Sequence, residues 1–470
     1  MRYISTRGGV EPMAFTQAVM MGLADDGGLL IPESIPDARA SLDAWRELPY
    51  NELAYEIMSP FAADVPQADL RSLIERTYTD AFDPEVAPVV RAGDLYLLEL
   101  WHGPTLAFKD VALQLLGNLF EHILGRSEGP SGGGELNILG ATSGDTGSAA
   151  ICGVRGRERI NIFMMYPHGR VSPIQERQMT TVADGNVYCI AVEGSFDDCQ
   201  RIMKTLAADL SLKRQYSLGA VNSVNWARVL AQIVYYFKGV FEVQRLTGRE
   251  SVRVAVPTGN FGDILAGWYA RAMGLEISQL ILATNANDIL TRFFDSGEYS
   301  LGDVCQTLSP SMDIQVASNF ERYLYYKVGR QAARLTELMA ELSRSGSLRV
   351  EVGPDGVVDP AFAAGAGSEQ DCLATIRKYH EQYDYLLDPH TAVGVAVAER
   401  SAAANSGEGD PIVCLATAHP AKFPEAIREA TGEDLAHHPA IDALADLPAR
   451  REVLPNDPQA VRDFLIKTVT

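Results

Sequence analysis

The chain has 470 residues, of which 47% are apolar, a mean hydropathy of -0.03 and a formal charge of -21. That length exceeds one ordinary core, so two or three domains are expected. The acidic balance excludes a general nucleic-acid surface, and an anionic substrate would need a local basic site.

The opening residues, MRYISTRGGV, contain no apolar run of the kind a secretory leader carries. The most apolar stretch, 229–243, is broken by Gln232, Lys238 and Glu242 and is too short for a bilayer, so no membrane partner is expected. The six cysteines are scattered without a Cys-x-x-Cys pair. Neither a metal site nor a disulfide framework is expected, and reduced thiols fit a cytoplasmic protein. No internal repeat of fixed period is present.

In chain order, the first ninety or so residues read as a mainly helical segment. Asp25-Asp26-Gly27-Gly28 is a turn before a short apolar run stopped by Pro32. Leu53, Ile57 and Phe61 fit one helix, and Leu70, Leu73, Ile74 and Tyr78 another. A strand over 95–100 delivers the chain to Trp101-His102-Gly103-Pro104-Thr105-Leu106-Ala107-Phe108-Lys109-Asp110. After a Gly-rich connector at 127–134, strands and helices alternate: strands over 136–139, 161–166 and 187–192, helices over 148–154, 172–180 and 196–208. Alternation of this kind implies parallel sheet covered by helices. A long helix over 226–243 follows, then strands at 252–256 and 280–283 around a helix at 263–273. An amphipathic helix over 331–345 ends at Gly346, a strand spans 412–416, and Asp457-Pro458 opens the last helix.

Four stretches carry chemistry. Lys109 precedes Val111, Leu115, Leu119 and Ile123, one face of a helix, so it falls near a helix start. The positive end of the macrodipole and apolar neighbours both disfavour an ammonium there. A neutral lysine amine attacks carbonyl carbon, as in Schiff-base lysines. The bland alternative is a snorkelling lysine paired with Asp110. The loop Thr142-Ser143-Gly144-Asp145-Thr146-Gly147 lies between a strand and a helix and suits a small carboxylate. Pro257-Thr258-Gly259-Asn260-Phe261-Gly262 occupies a similar place and suits a phosphate. It is neither a Walker A loop nor Gly-x-Gly-x-x-Gly, so a nucleotide is not the first expectation. In Thr417-Ala418-His419-Pro420-Ala421-Lys422-Phe423 the Thr417 hydroxyl sits just past a strand, where parallel sheets bind ligands. His419 before Pro420 and His390 after Asp388-Pro389 read equally as turn residues and as ligand contacts.

Together these stretches resemble the threonine synthases, pyridoxal-phosphate enzymes of fold type II. The resemblance is carried in order by Tyr3-Ile4-Ser5-Thr6-Arg7, 24–29, 102–110, 140–147, 222–228, 257–262 and 417–423. Thr-Ser-Gly-Asp-Thr-Gly sets it apart from dehydratase relatives, and the length resembles the bacterial and fungal branch. The resemblance implies an α/β fold like the tryptophan synthase β chain, with an added N-terminal mainly helical domain. It divides the chain into an N-terminal domain (1–94), a large cofactor domain (95–126 plus 220–430), a small α/β domain (127–219) and a helical tail (431–470) packed on the large domain.

Residue by residue, the resemblance implies that Lys109 carries pyridoxal 5'-phosphate. Gly259, Asn260, Phe261 and Gly262 would hold its phosphate, Asp263 would belong to the same cofactor site, and Thr417 would hold its ring nitrogen. Thr142, Ser143, Asp145 and Thr146 would bind the substrate carboxylate. Ser223, Asn225, Arg228 and Lys422 are the candidates for the substrate phosphate, with Arg322 behind them. The implied reaction takes O-phospho-L-homoserine and water to L-threonine and phosphate in a monomer or homodimer. Rival readings are a phospho-lyase releasing 2-oxobutyrate, a threonine or serine dehydratase, and a phosphotransferase using the Gly259 loop.

Overall fold

The computed structural model describes residues 1–126, 134–219, 223–353, 356–404 and 409–469. Most of the Gly-rich connector, with Asn222, lies outside the described residues.

Two sheets organise the chain. The larger runs in the order Phe362–Ala366, Ile277–Thr284, Val252–Pro257, Ile412–Ala416, Leu95–Glu99 and Val89–Ala92. Its first five strands are parallel and the last is antiparallel. Val252–Pro257 and Ile412–Ala416 are buried at every residue, because helices cover both faces of the sheet. The smaller sheet is all parallel: Glu452–Pro455, Val187–Glu193, Ile160–Pro167, Leu136–Ala141 and Leu218–Gly219.

Two expected boundaries are corrected. Residues 89–92 do not belong to an N-terminal domain ending at 94. A tight turn at Gly93 (φ 62°) folds them back onto Leu95–Glu99 as the edge of the large sheet. The C-terminal tail packs on the large domain only at its start, through Ala436 and Ile441, and then crosses to the small sheet. Glu452–Pro455 adds an edge strand to the small sheet, and Val461 and Leu465 of helix Pro458–Val469 fill a core with Ile190, Val192, Ile202 and Leu206. The Asp457-Pro458 start signal marks this helix but not what it packs against.

The N-terminal residues share one apolar core with both sheets. Tyr3 packs its ring against Phe15 and Trp226. Thr6 and Arg7 both donate to Glu321, and the Asp26 carboxylate accepts from Ser5 and from the backbone of Gly9 and Gly28. The Tyr3 to Arg7 stretch therefore docks the N-terminus, away from the residues that line the Lys109 cavity. One crossing places the site: helices Lys109–Arg126 and Asp145–Val154 meet backbone to backbone. A Cβ at Gly117 would collide with the Gly153 carbonyl, and one at Gly153 with the Leu113 carbonyl. That contact sets Lys109 relative to Asp145 across the two sheets.

Candidate active site

Lys109 is the first residue of its helix. The preceding loop is zipped to the Thr417 loop: the Phe108 N–H donates to Thr417 O (2.9 Å) and the His419 N–H to Leu106 O (3.1 Å). Leu106 takes a left-handed φ of 59° to make this turn. The Lys109 amine sits 3.4 Å from Ser311 Oγ and 3.6 Å from Asp145 Oδ2. Burial lowers its pKa, Asp145 opposes that shift, and Lys422 and Arg228 reinforce it. Asp110 is no partner for it. Its carboxylate accepts from the N–H (2.8 Å) and hydroxyl (2.7 Å) of Thr105, and burial pushes it up to about 6. The surface-pair alternative for Lys109 does not hold.

The amine opens into a cavity lined by polar groups from the Asp145, Gly259, Ser311 and Thr417 segments, the kind of concave site that takes a small-molecule ligand. Its opposite wall is the 259–262 loop. Only glycine fits at 259, because a Cβ there would collide with the Ser311 carbonyl. Phe261 adopts φ 62° and sends its ring into a cluster with Phe294, Phe320, Tyr323 and Phe362, so only its backbone serves the cavity. Helix Gly262–Ala272 starts there, with its positive end at the loop. Asp263 is buried beside it. Its Oδ1 accepts from the hydroxyls of Tyr235 (2.6 Å) and Tyr236 (2.9 Å), its Oδ2 has no partner, and burial raises it to about 6.

Arg228 also lines the cavity, 5% exposed, and among the described residues its Nε and Nη1 have no hydrogen-bond partner. Burial lowers its guanidinium to about 10. A buried arginine without a carboxylate is costly unless an anion joins it. Ser223 stands nearby, its hydroxyl 2.6 Å from that of Ser318, which in turn donates to Asn260. A phosphate-bearing aldehyde fits this cavity, with a desolvated amine at one end and a glycine cradle at a helix start at the other.

Asp145 joins the amine to the rest of the protein. Its Oδ1 lies 2.9 Å from Lys422 Nζ and accepts from Gln175 (3.1 Å), and its Oδ2 accepts from Ser311 Oγ (3.1 Å). Burial would raise this carboxyl, but Lys422 and then Lys109 outweigh it and hold it well below the carboxylate range.

Several expected ligand residues have other work. The Thr142 hydroxyl accepts from the N–H groups of Gly144 and Gly147 and so holds its own loop, while Ser143 is exposed outside the cavity. Thr146 does line the cavity. Asn225 caps helix Trp226–Thr247 and donates to Val19 O (2.9 Å), so it is not a phosphate ligand. Lys422 is fully buried and spent on Asp145 and Thr105 O (2.8 Å). Arg322 is fully buried and donates to backbone oxygens of Leu30 and Val224, which ties the N-terminus to the large domain. The His419 ring caps the turn at 420–422 and lies against Trp101 and His438. His390 and Thr417 line the cavity. Ser311, which contacts Lys109, was missed. Only the Pro310 turn start marked its segment, and nothing in its spacing pointed to a lysine.

Family models match three parts of the chain: threonine synthase N terminus over 2–78, pyridoxal-phosphate dependent enzyme over 85–353, and threonine synthase C-terminal over 391–465. The threonine synthase of Pseudomonas aeruginosa is 46% identical over 99% of this chain and 98% of that protein. That of Schizosaccharomyces pombe is 44% identical over 90% and 88%. The crystal structure of pyridoxal-phosphate-bound threonine synthase from Brucella melitensis superimposes with a TM-score of 0.93 at 42% identity, over 100% of this chain and 99% of that one.

Proposed function

The chain belongs to the threonine synthase family of pyridoxal-phosphate-dependent lyases, and from that membership and its cavity we propose that it converts O-phospho-L-homoserine and water to L-threonine and phosphate. The observation that carries this reading is Arg228, a buried guanidinium with two unpartnered nitrogens in the same cavity as Lys109 and the Gly259 cradle. One anion site serves the cofactor and a second serves a phosphorylated substrate.

Lys109 would carry pyridoxal phosphate, which when bound would supply an electron-withdrawing ring that acidifies the hydrogens of the substrate amino acid. Gly259, Asn260, Gly262 and the helix start would hold the cofactor phosphate, and the Thr417 hydroxyl would hold the ring nitrogen. A neutral hydroxyl there tempers the ring's electron demand, unlike a charged partner. Arg228 with Ser223 grips the substrate phosphate until it leaves from Cγ. Thr146 and the start of helix Asp145–Val154 orient the substrate carboxylate. The Lys109 amine takes and returns protons at the substrate carbons, and its lowered pKa suits it to both directions. Ser311 and Asp145 keep that amine in place between transfers. Among the described residues no helix is long and apolar enough to cross a membrane. A cytoplasmic monomer or homodimer accords with this reading.

Phosphate release from O-phospho-L-homoserine by the cofactor-loaded protein tests it. Release by the wild type, with kcat/KM at least about 100-fold lower in Arg228→Met, is the supporting result. No release from the wild type would overturn it.

A further inference from the structure

The Ser311 turn and the Thr417 loop come from different parts of the chain, yet both lead back to one buried carboxylate. Asp388 precedes helix Pro389–Ala404 and is 1% exposed. Its Oδ1 accepts from the backbone N–H of His390 (2.9 Å) and lies 3.0 Å from the ring Nδ1 of the same residue. Its Oδ2 accepts from the Thr391 hydroxyl. The two oxygens thus serve two different arms.

The first arm runs through His390. Its Nε2 accepts the Ser311 N–H (3.1 Å), so the ring proton must sit on Nδ1 and point at Asp388. Ser311 then presents its hydroxyl to the Lys109 amine at 3.4 Å and donates to Asp145 at 3.1 Å. The second arm runs through Thr391, whose hydroxyl accepts the Thr417 N–H at 3.0 Å. A plain helix cap explains the bonds to the backbone N–H groups of His390 and Thr391. It does not explain the bonds to the imidazole and the Thr391 hydroxyl, which lead onward to the cavity.

We propose that Asp388 is a positioning residue that sets both ends of the cofactor site together, the Lys109 amine through His390 and Ser311, and Thr417 through Thr391. The second arm rests on Thr417 being the partner of the ring nitrogen. A single anchor keeps the amine and the ring partner in register with each other. The outer groups of a metal-bound or catalytic histidine do similar work by fixing its tautomer and orientation.

The test uses the cofactor-loaded protein and reads the visible absorption of the bound cofactor against pH. His390→Phe cuts the amine arm, Thr391→Val cuts the ring arm, Asp388→Asn disturbs both, and Thr417→Val removes the ring partner itself. His390→Phe is expected to move the titration midpoint of the visible band by about one pH unit. Thr391→Val is expected to change the position of the band as Thr417→Val does, leaving the midpoint in place. Asp388→Asn should show both changes while retaining the cofactor. The two single-arm variants decide the matter if Asp388→Asn fails to fold. Unchanged spectra and midpoints in His390→Phe and Thr391→Val would overturn the inference and leave Asp388 a helix cap. If Thr417→Val shifts the band and Thr391→Val does not, the ring arm is overturned and the role of Thr417 stands. A silent Thr417→Val overturns both.

Discussion

The Lys422 ammonium lies 2.9 Å from the Asp145 carboxylate, both side chains are withdrawn from water, and the pair joins a loop of the small sheet to a loop of the large one. Neither charge is cheap to bury, and each is satisfied mainly by the other. The pair is a clasp between two sheets whose strands share no ladder.

Lys422→Met strips Asp145 of its nearest cation and leaves Lys109 to balance it. The expected cost is about 3–5 kcal/mol of unfolding free energy at pH 7. The carboxyl is held below its unfolded value, so its contribution is complete above the unfolded pKa and fades as pH falls toward the folded one. The double variant Lys422→Met with Asp145→Asn should recover part of the loss. Denaturant unfolding of the three proteins checks this, and a single variant as stable as wild type would contradict it.

Arg228 gives the opposite sign in the absence of ligand. Its charge is buried without a counter-charge, so Arg228→Met should unfold at higher denaturant than the ligand-free wild type. With the cofactor loaded, so that the Gly259 cradle is filled, inorganic phosphate at about 100 times its Kd should stabilise the wild type by about 2.7 kcal/mol and the variant not at all. Equal phosphate protection of both proteins would remove Arg228 from the anion site.

Asp263 governs a window of acid pH. Its native pKa of about 6 lies above the usual carboxylate value, so the folded state binds more protons than the unfolded chain between about pH 4 and 6. Stability therefore falls as pH rises through that window. Asp263→Asn keeps an oxygen for Tyr235 and Tyr236 and should be more stable than wild type at pH 7 by roughly 1–3 kcal/mol, with a shallower slope below pH 6. Part of the remaining slope belongs to Asp110, which is also pushed up to about 6. Unfolding measured at pH 5 and pH 7 for both proteins separates the two carboxyls.

Removing residues 449–470 should loosen the small sheet alone. Val187–Glu193 loses its edge partner, and the core around Ile202 and Leu206 loses Val461 and Leu465. Amide exchange should quicken in Val187–Glu193 and Ile160–Pro167 and stay unchanged in Val252–Pro257. Faster exchange in the large sheet would contradict this placement of the tail.

Local signals carried much of the architecture. Helix Phe196–Ala208 is bounded as its sequence indicates, because Ser195 and Asp198 form a capping box at its start. Strand Phe362–Ala366 escaped notice: Phe-Ala-Ala-Gly-Ala holds no β-branched residue, and only its pairing with Leu280 to Thr284 makes it a strand. In the site, Lys109 was legible because a lysine at a helix start behind an apolar run contradicts local preference. Lys422 looked like a free cation because its carboxylate partner is remote in the chain. Thr142 looked like a ligand because the residues that bind anions at helix starts are also those that hold such loops together. Ser311 was silent because a serine acquires meaning only from what folding brings beside it.

The most direct measurement is product analysis after the cofactor-loaded protein is incubated with O-phospho-L-homoserine. L-Threonine and phosphate in equal amounts are the expected result. Phosphate accompanied by 2-oxobutyrate in place of threonine would contradict the proposed reaction and make the protein a phospho-lyase.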